Sequence, residues 1–147
     1  MIISTTGSTR KTQKNVKSIV RYCANNLMSS RLTKNISIRI ILNNNLLTKY
    51  SLYGYCEPNV YDNRSPKDFD LVIDCTQSLK GILSTVSHEM VHVKQFARRE
   101  LHFLACNKLV RFHDRYYDIN TLYARQPWEI EAEDMQFTLY NDWRKTL

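Results

Sequence analysis

His88-Glu89-Met90-Val91-His92 lies inside a long stretch whose apolar residues recur at steps of three and four: Ile82, Val86, Met90, Val93, Ala97, Leu101 and Leu104. That period predicts one helix, capped by Thr76 or Ser78 and running to about Leu104, with the apolar row against a sheet. Histidines at i and i+4 lie one turn apart on one helix face, so both imidazoles can reach a single metal ion. Glu89 is directed to the same side and can take a proton from a water that the metal activates. With this chain's His and Glu content, a chance match to the pattern is expected in roughly one shuffled copy in a few hundred. His88 and His92 share a stripe with Thr85 and Phe96 at the edge of the buried row, where a metal at the floor of a cleft needs them.

Working outward, Thr9 to Ser29 reads as a helix with Val16, Ile19, Val20, Cys23 and Leu27 on one side and basic residues opposite. Residues 1 to 8 read as a loose polar start. Ile36 to Leu42 alternates and is β-branched, hence a strand. Leu46 to Tyr55 is expected as a second strand and Phe69 to Cys75 as a third, separated by a loop from Glu57 to Lys67 that carries Pro58, Asn63 and Pro66. Residues 107 to 118 read as a short hairpin or an irregular segment. Pro127 opens a last helix to about Arg144, with Glu129, Glu131, Glu133 and Asp134 at its positive end. The fold class expected is α+β in one domain spanning residues 1–147: a small, mostly antiparallel sheet packed on the His88–His92 helix, with a second, ligand-bearing helix at the end of the chain.

The 147 residues suffice for one ordinary domain, and 43% apolar content supplies a core. No apolar run approaches bilayer length, so no membrane association is expected. The polar start lacks the apolar region of a secretory signal. Cys23, Cys56, Cys75 and Cys106 form no CxxC pair, which argues against a zinc ribbon. They are expected as reduced thiols in the cytoplasm, most of them buried. The net charge is +7, and nine basic residues from Arg10 to Lys49 precede the first acid, Glu57. Such asymmetry permits binding to nucleic acid or an acidic partner, although a solvated basic helix face accounts for it as well. Lys94, Arg98 and Arg99 are expected in solvent.

A catalytic zinc takes three protein ligands and keeps one open position. The HExxHxxGxxH arrangement is excluded, because Gln95 and Arg98 stand where its glycine and third histidine belong. Downstream, Pro127-Trp128-Glu129-Ile130-Glu131-Ala132-Glu133 resembles the second helix of the gluzincin metallopeptidases, whose ExxxD or ExxAD pattern follows HExxH. Glu133 replaces the terminal aspartate, and its longer side chain changes the reach. The resemblance implies Glu129 as third ligand and Glu133 as a residue orienting a ligand histidine. The pairing of HEMVHVKQ with PWEIEAE is also similar to small phage-encoded peptidases grouped loosely with SprT-like proteins, over roughly residues 70 to 140. That likeness implies a minimal zincin-like fold, with a small sheet on the active-site helix and the ligand helix crossing behind the metal. His113 and Glu131 stay open as third ligands. Glu131 is turned about 200° from Glu129 around the helix, so both cannot serve one ion. His102 sits about 15 Å along the expected helix from His92, too far to join.

These readings give a zinc-dependent peptidase as the expected function: Zn²⁺ on His88, His92 and Glu129, Glu89 as general base, and a peptide or protein as substrate. Tyr123, just before the ligand helix, is the first choice to steady the developing oxyanion. His113, Tyr116 and Tyr117 are alternatives. The other reading is a non-catalytic metal-binding or nucleic-acid-associated module with a basic N-terminal half. The location expected is the cytoplasm, that of the host if the chain is phage-encoded. The substrate and the oligomeric state are not legible in the residues.

Overall fold

The alternating run at Ile36 to Leu42 needs partners on both sides, and it finds them in strands on either side of it in sequence. A computed structural model describes residues 1–60, 65–104, 106 and 108–147. In chain order the elements are β1 (Ile2–Thr6), α1 (Arg10–Leu27), α2 (Ser30–Lys34), β2 (Ser37–Asn43), α3 (Leu46–Tyr50), β3 (Gly54–Pro58), β4 (Asp68–Asp74), α4 (Leu79–Ala97), β5 (Leu101–Leu104), β6 (Leu109–Phe112), β7 (Arg115–Asp118), a 3₁₀ turn at Tyr123–Arg125, and α5 (Pro127–Lys145). Residues 61–64 of the expected Glu57–Lys67 loop, Asn63 among them, and the start of the 107–118 segment at Asn107 lie outside the described residues.

The first four strands form one sheet in the order β1-β2-β4-β3. β1 runs parallel to β2, setting Ile3 beside Ile38, and β2 runs parallel to β4, setting Ile40 beside Leu71. β3 alone is antiparallel, with Tyr55 beside Val72, and it forms the edge next to α4. β5, β6 and β7 make a separate antiparallel meander. The class is therefore α+β, but the main sheet is mostly parallel where a mostly antiparallel one was expected. The difference begins at β1. Its polar Ser-Thr-Thr run hides an edge strand that only its pairing with β2 reveals, and α1 returns the chain as the crossover that parallel strands require.

α4 is the spine of the molecule. From Ile82 to Ala97 only Thr85 and His88 escape full burial. One side meets the sheet, another meets Val16, Ile19, Val20 and Cys23 of α1, and a third meets α5. Each fully buried aliphatic side chain contributes about 1.5–3 kcal/mol. Ser78 caps the first turn by accepting from the Gly81 N–H at 3.1 Å.

Three further expectations are corrected. α4 ends at Ala97, not Leu104. Arg99 takes a left-handed backbone (φ 62°) and the Glu100 N–H returns to the Gln95 carbonyl at 2.8 Å, a Schellman-type stop without a glycine. Leu46 to Tyr50 is a short helix, not a strand. A side-chain oxygen of Asp74 accepts the Leu47 N–H at 2.7 Å, and Ser51 (φ 56°) ends the turn. Of the four free thiols only Cys23 is fully buried, while Cys56 and Cys75 are half-buried and Cys106 is exposed. No helix among the described residues is long and apolar enough to cross a membrane.

Candidate metal centre

Thr85 and His88, the two partly exposed residues between Ile82 and Ala97, open into a cleft of about 600 Å³. Its walls are β3 with the preceding turn, α4, and the start of α5. His92 and Phe96 complete the α4 stripe along its floor. α5 enters with Pro127 in its first turn, where the missing N–H costs nothing, and this brings Glu129 over the two histidines.

The Glu129 Oε2 atom stands 3.1 Å from His88 Nε2 and 3.3 Å from His92 Nε2, and the two Nε2 atoms are 3.2 Å apart. Three ligands at about 2.0–2.1 Å from a tetrahedral zinc stand about 3.3 Å from one another, so the three donor atoms have the spacing of three zinc ligands. Two imidazoles and one carboxylate are also a donor set that zinc accepts. Among the described residues no other group of three or more His, Cys, Asp or Glu side chains converges in this way.

Charge follows the same geometry. Burial works against a protonated His92, but the hydrogen bond to Glu129 and the charge of Glu89 outweigh it and lift His92 to about 9. Burial would raise Glu129, yet hydrogen bonds from His88 and His92 pull its carboxyl well below the usual range. Glu89 is almost wholly buried. Burial raises its carboxyl above the ordinary value, His92 and His88 oppose this, and Glu129 adds to it. Tyr123 borders the cleft near the Glu129 carboxylate. Its phenol is pushed up by burial and by that carboxylate, and it therefore stays a neutral donor.

One residue beneath the site was not anticipated. Gln95, fully buried, accepts from His92 Nδ1 at 2.8 Å, which leaves the Nε2 lone pair facing the cleft. Its amide nitrogen donates to the Trp128 carbonyl at 2.9 Å and to a Glu131 oxygen at 2.6 Å. The other Glu131 oxygen meets Lys94 Nζ at 2.7 Å, Lys94 meets Glu100 at 2.8 Å, and Glu100 meets Arg98 at 3.1 Å. Burial would raise Glu131, but Lys94 and Gln95 hold it below the ordinary range. Lys94 is thus buried and paired rather than solvated. The signal for Gln95 was its place one turn after His92 on the same helix face.

The remaining candidates separate cleanly. Glu131 belongs to the Gln95–Lys94 network and not to the His88–His92–Glu129 cluster. His113 sits on the β6–β7 turn at φ 53°, exposed, its ring against Phe112. His102 lies on β5, not on a continued helix. Tyr116 is exposed, and Tyr117 packs on Trp128 at 5.8 Å between ring centres. Glu133 is exposed on the cleft wall, and at His92 it is Gln95 that meets Nδ1. Trp128 is buried in the core and also borders the cleft. Compared with protein-family models, curated proteins and solved structures, the chain matches none, so the chemistry of the site rests on its own residues.

Proposed function

We propose that the chain is a zinc-dependent peptidase of gluzincin type, a minimal zincin-like domain acting on peptide or protein substrates. The observation that carries this reading is the near-equilateral triangle of His88, His92 and Glu129 donor atoms with Glu89 buried beside it. Zinc held there supplies a Lewis acid that makes water nucleophilic near neutral pH and polarises a carbonyl. Glu89, with its raised carboxyl pKa, takes the proton of the attacking water and passes it to the leaving amine. Tyr123 supplies a neutral O–H donor to the carbonyl oxygen as charge develops there.

The cleft wall suits an extended substrate. The Asp74 N–H donates to the Tyr53 carbonyl at 2.8 Å, and the Asn59 N–H donates to Asp68 at 3.0 Å. Odd-numbered residues of β3 therefore face β4, which leaves the N–H and C=O of Gly54 and Cys56 on the free edge. Both residues border the cleft, so a peptide can add there as a further strand. Four free thiols fit a reducing, cytoplasmic setting.

Elemental analysis of wild type, Glu129→Ala and Glu89→Gln, with turnover of a quenched-fluorescence peptide library, tests the reading. The expected result is about one zinc per wild-type chain and marked loss in Glu129→Ala. Glu89→Gln is expected to keep its zinc and lose about 10²–10⁴-fold in turnover. A wild type that takes up no zinc overturns the metal site. Zinc without cleavage leaves a non-catalytic metal-binding module.

A further inference from the structure

Nine basic residues and no acid occupy the chain through Cys56, whereas twelve basic and fourteen acidic residues follow. On α1 this excess is ordered. Arg10, Lys14, Lys17 and Arg21 fall at steps of four, three and four, so they stay within about 60° of one another around the axis and span about 16 Å along it. With Gln13 they line a shallow groove of about 330 Å³. The groove runs along a flank of α1 clear of its buried row, Val16, Ile19, Val20 and Cys23. Ion pairs among the described residues engage Arg39, Lys94, Arg98 and Lys145, and none engages the stripe.

The stripe opposes the stability of its own helix. Like charges at i,i+3 and i,i+4 repel. Arg10 stands in the first turn with no acid beside it, at the end where the helix dipole disfavours cations. Any polar residue would keep this flank soluble, so a sequence that retains the conflict marks an external anion that relieves it. Insertion into a membrane does not fit, because an interfacial helix inserts its apolar face and that of α1 is in the core. A single strand with stacked bases does not fit either, because no aromatic residue lines the groove. A straight line of flexible cations does match the regular charge of a phosphodiester backbone.

We propose that the Arg10–Lys14–Lys17–Arg21 face of α1 binds the backbone of duplex nucleic acid without regard to base sequence. The test is fluorescence anisotropy of a labelled, mixed-sequence DNA duplex across about 50–200 mM salt. Four phosphate contacts give a log–log salt slope of about −3.6, and Lys14→Ala/Lys17→Ala flattens it by about 1.8 while weakening binding at every salt concentration. Arg115→Ala, an exposed basic residue on β7, leaves the slope unchanged, and circular dichroism verifies that each variant is folded. Glu129→Ala retains duplex binding, so this result stands apart from that of the metal site. No wild-type binding at the lowest salt, an unaltered slope in the double variant, or tighter binding to phosphatidylserine vesicles than to the duplex overturns the proposal.

Discussion

Gln95 carries more of the site than its position in the sequence suggests. It fixes His92 through Nδ1 and ties α4 to α5 through Glu131 and the Trp128 carbonyl. Gln95→Leu keeps the volume roughly and removes all three bonds, leaving buried polar groups unpaired. We expect zinc affinity to fall about 10–100-fold, read by competition with a chelating dye, and stability to fall by about 1–3 kcal/mol in urea. Unchanged affinity alongside lost stability would make Gln95 a packing residue only. His88, Glu89 and His92 were legible because their spacing is a helical fact independent of the fold. Glu129 was legible from its proline-led helix and its likeness to a known pattern. Gln95 was marked only by its place one turn after His92, since a glutamine is informative only when its partners on another element are known.

Elements were legible where one face is apolar and periodic, as in α1 and α4, and obscure where tertiary partners decide. The stop of α4 at Arg99 has no glycine to announce it, and Leu101 and Leu104 continue the helical spacing although they lie on a strand. α3 depends on Asp74, 27 residues downstream, to accept one of its first N–H groups. β3 depends on Gly54, where an added Cβ meets Thr85 Cγ2 at 2.7 Å and the Val72 carbonyl oxygen at 3.1 Å. Gly54→Ala is therefore expected to lift β3 from α4 and cost about 1–3 kcal/mol. Thr85→Ser removes the closest atom, so the double variant should recover part of that loss in thermal melts. A fully additive pair would show that the contacts with β4, Ile73 Cδ1 at 3.0 Å and the Val72 carbonyl oxygen, dominate.

At the scale of the molecule, the proposed ion joins α4 to α5, two helices already packed along each other. A ligand that binds only the folded chain stabilises it by mass action, about 4 kcal/mol at free zinc a thousandfold above Kd. For a chain of this size that corresponds to about 8–16 °C in Tm. Calorimetry with zinc and with excess chelator should show this difference in wild type and little of it in Glu129→Ala.

Glu129 follows His88 by 41 residues. Synthesis delivers the two histidines and Glu89 first, then the β5–β7 meander, and only afterwards the carboxylate and the Glu131 partner of Gln95. A chain still growing through that interval holds two of the three donors, and the glutamine has yet to meet its acceptors on α5. On the proposed reading, a ribosome making this protein never carries a competent peptidase until α5 has emerged and docked. On that reading, the order of the chain alone withholds the third donor until the last helix is made.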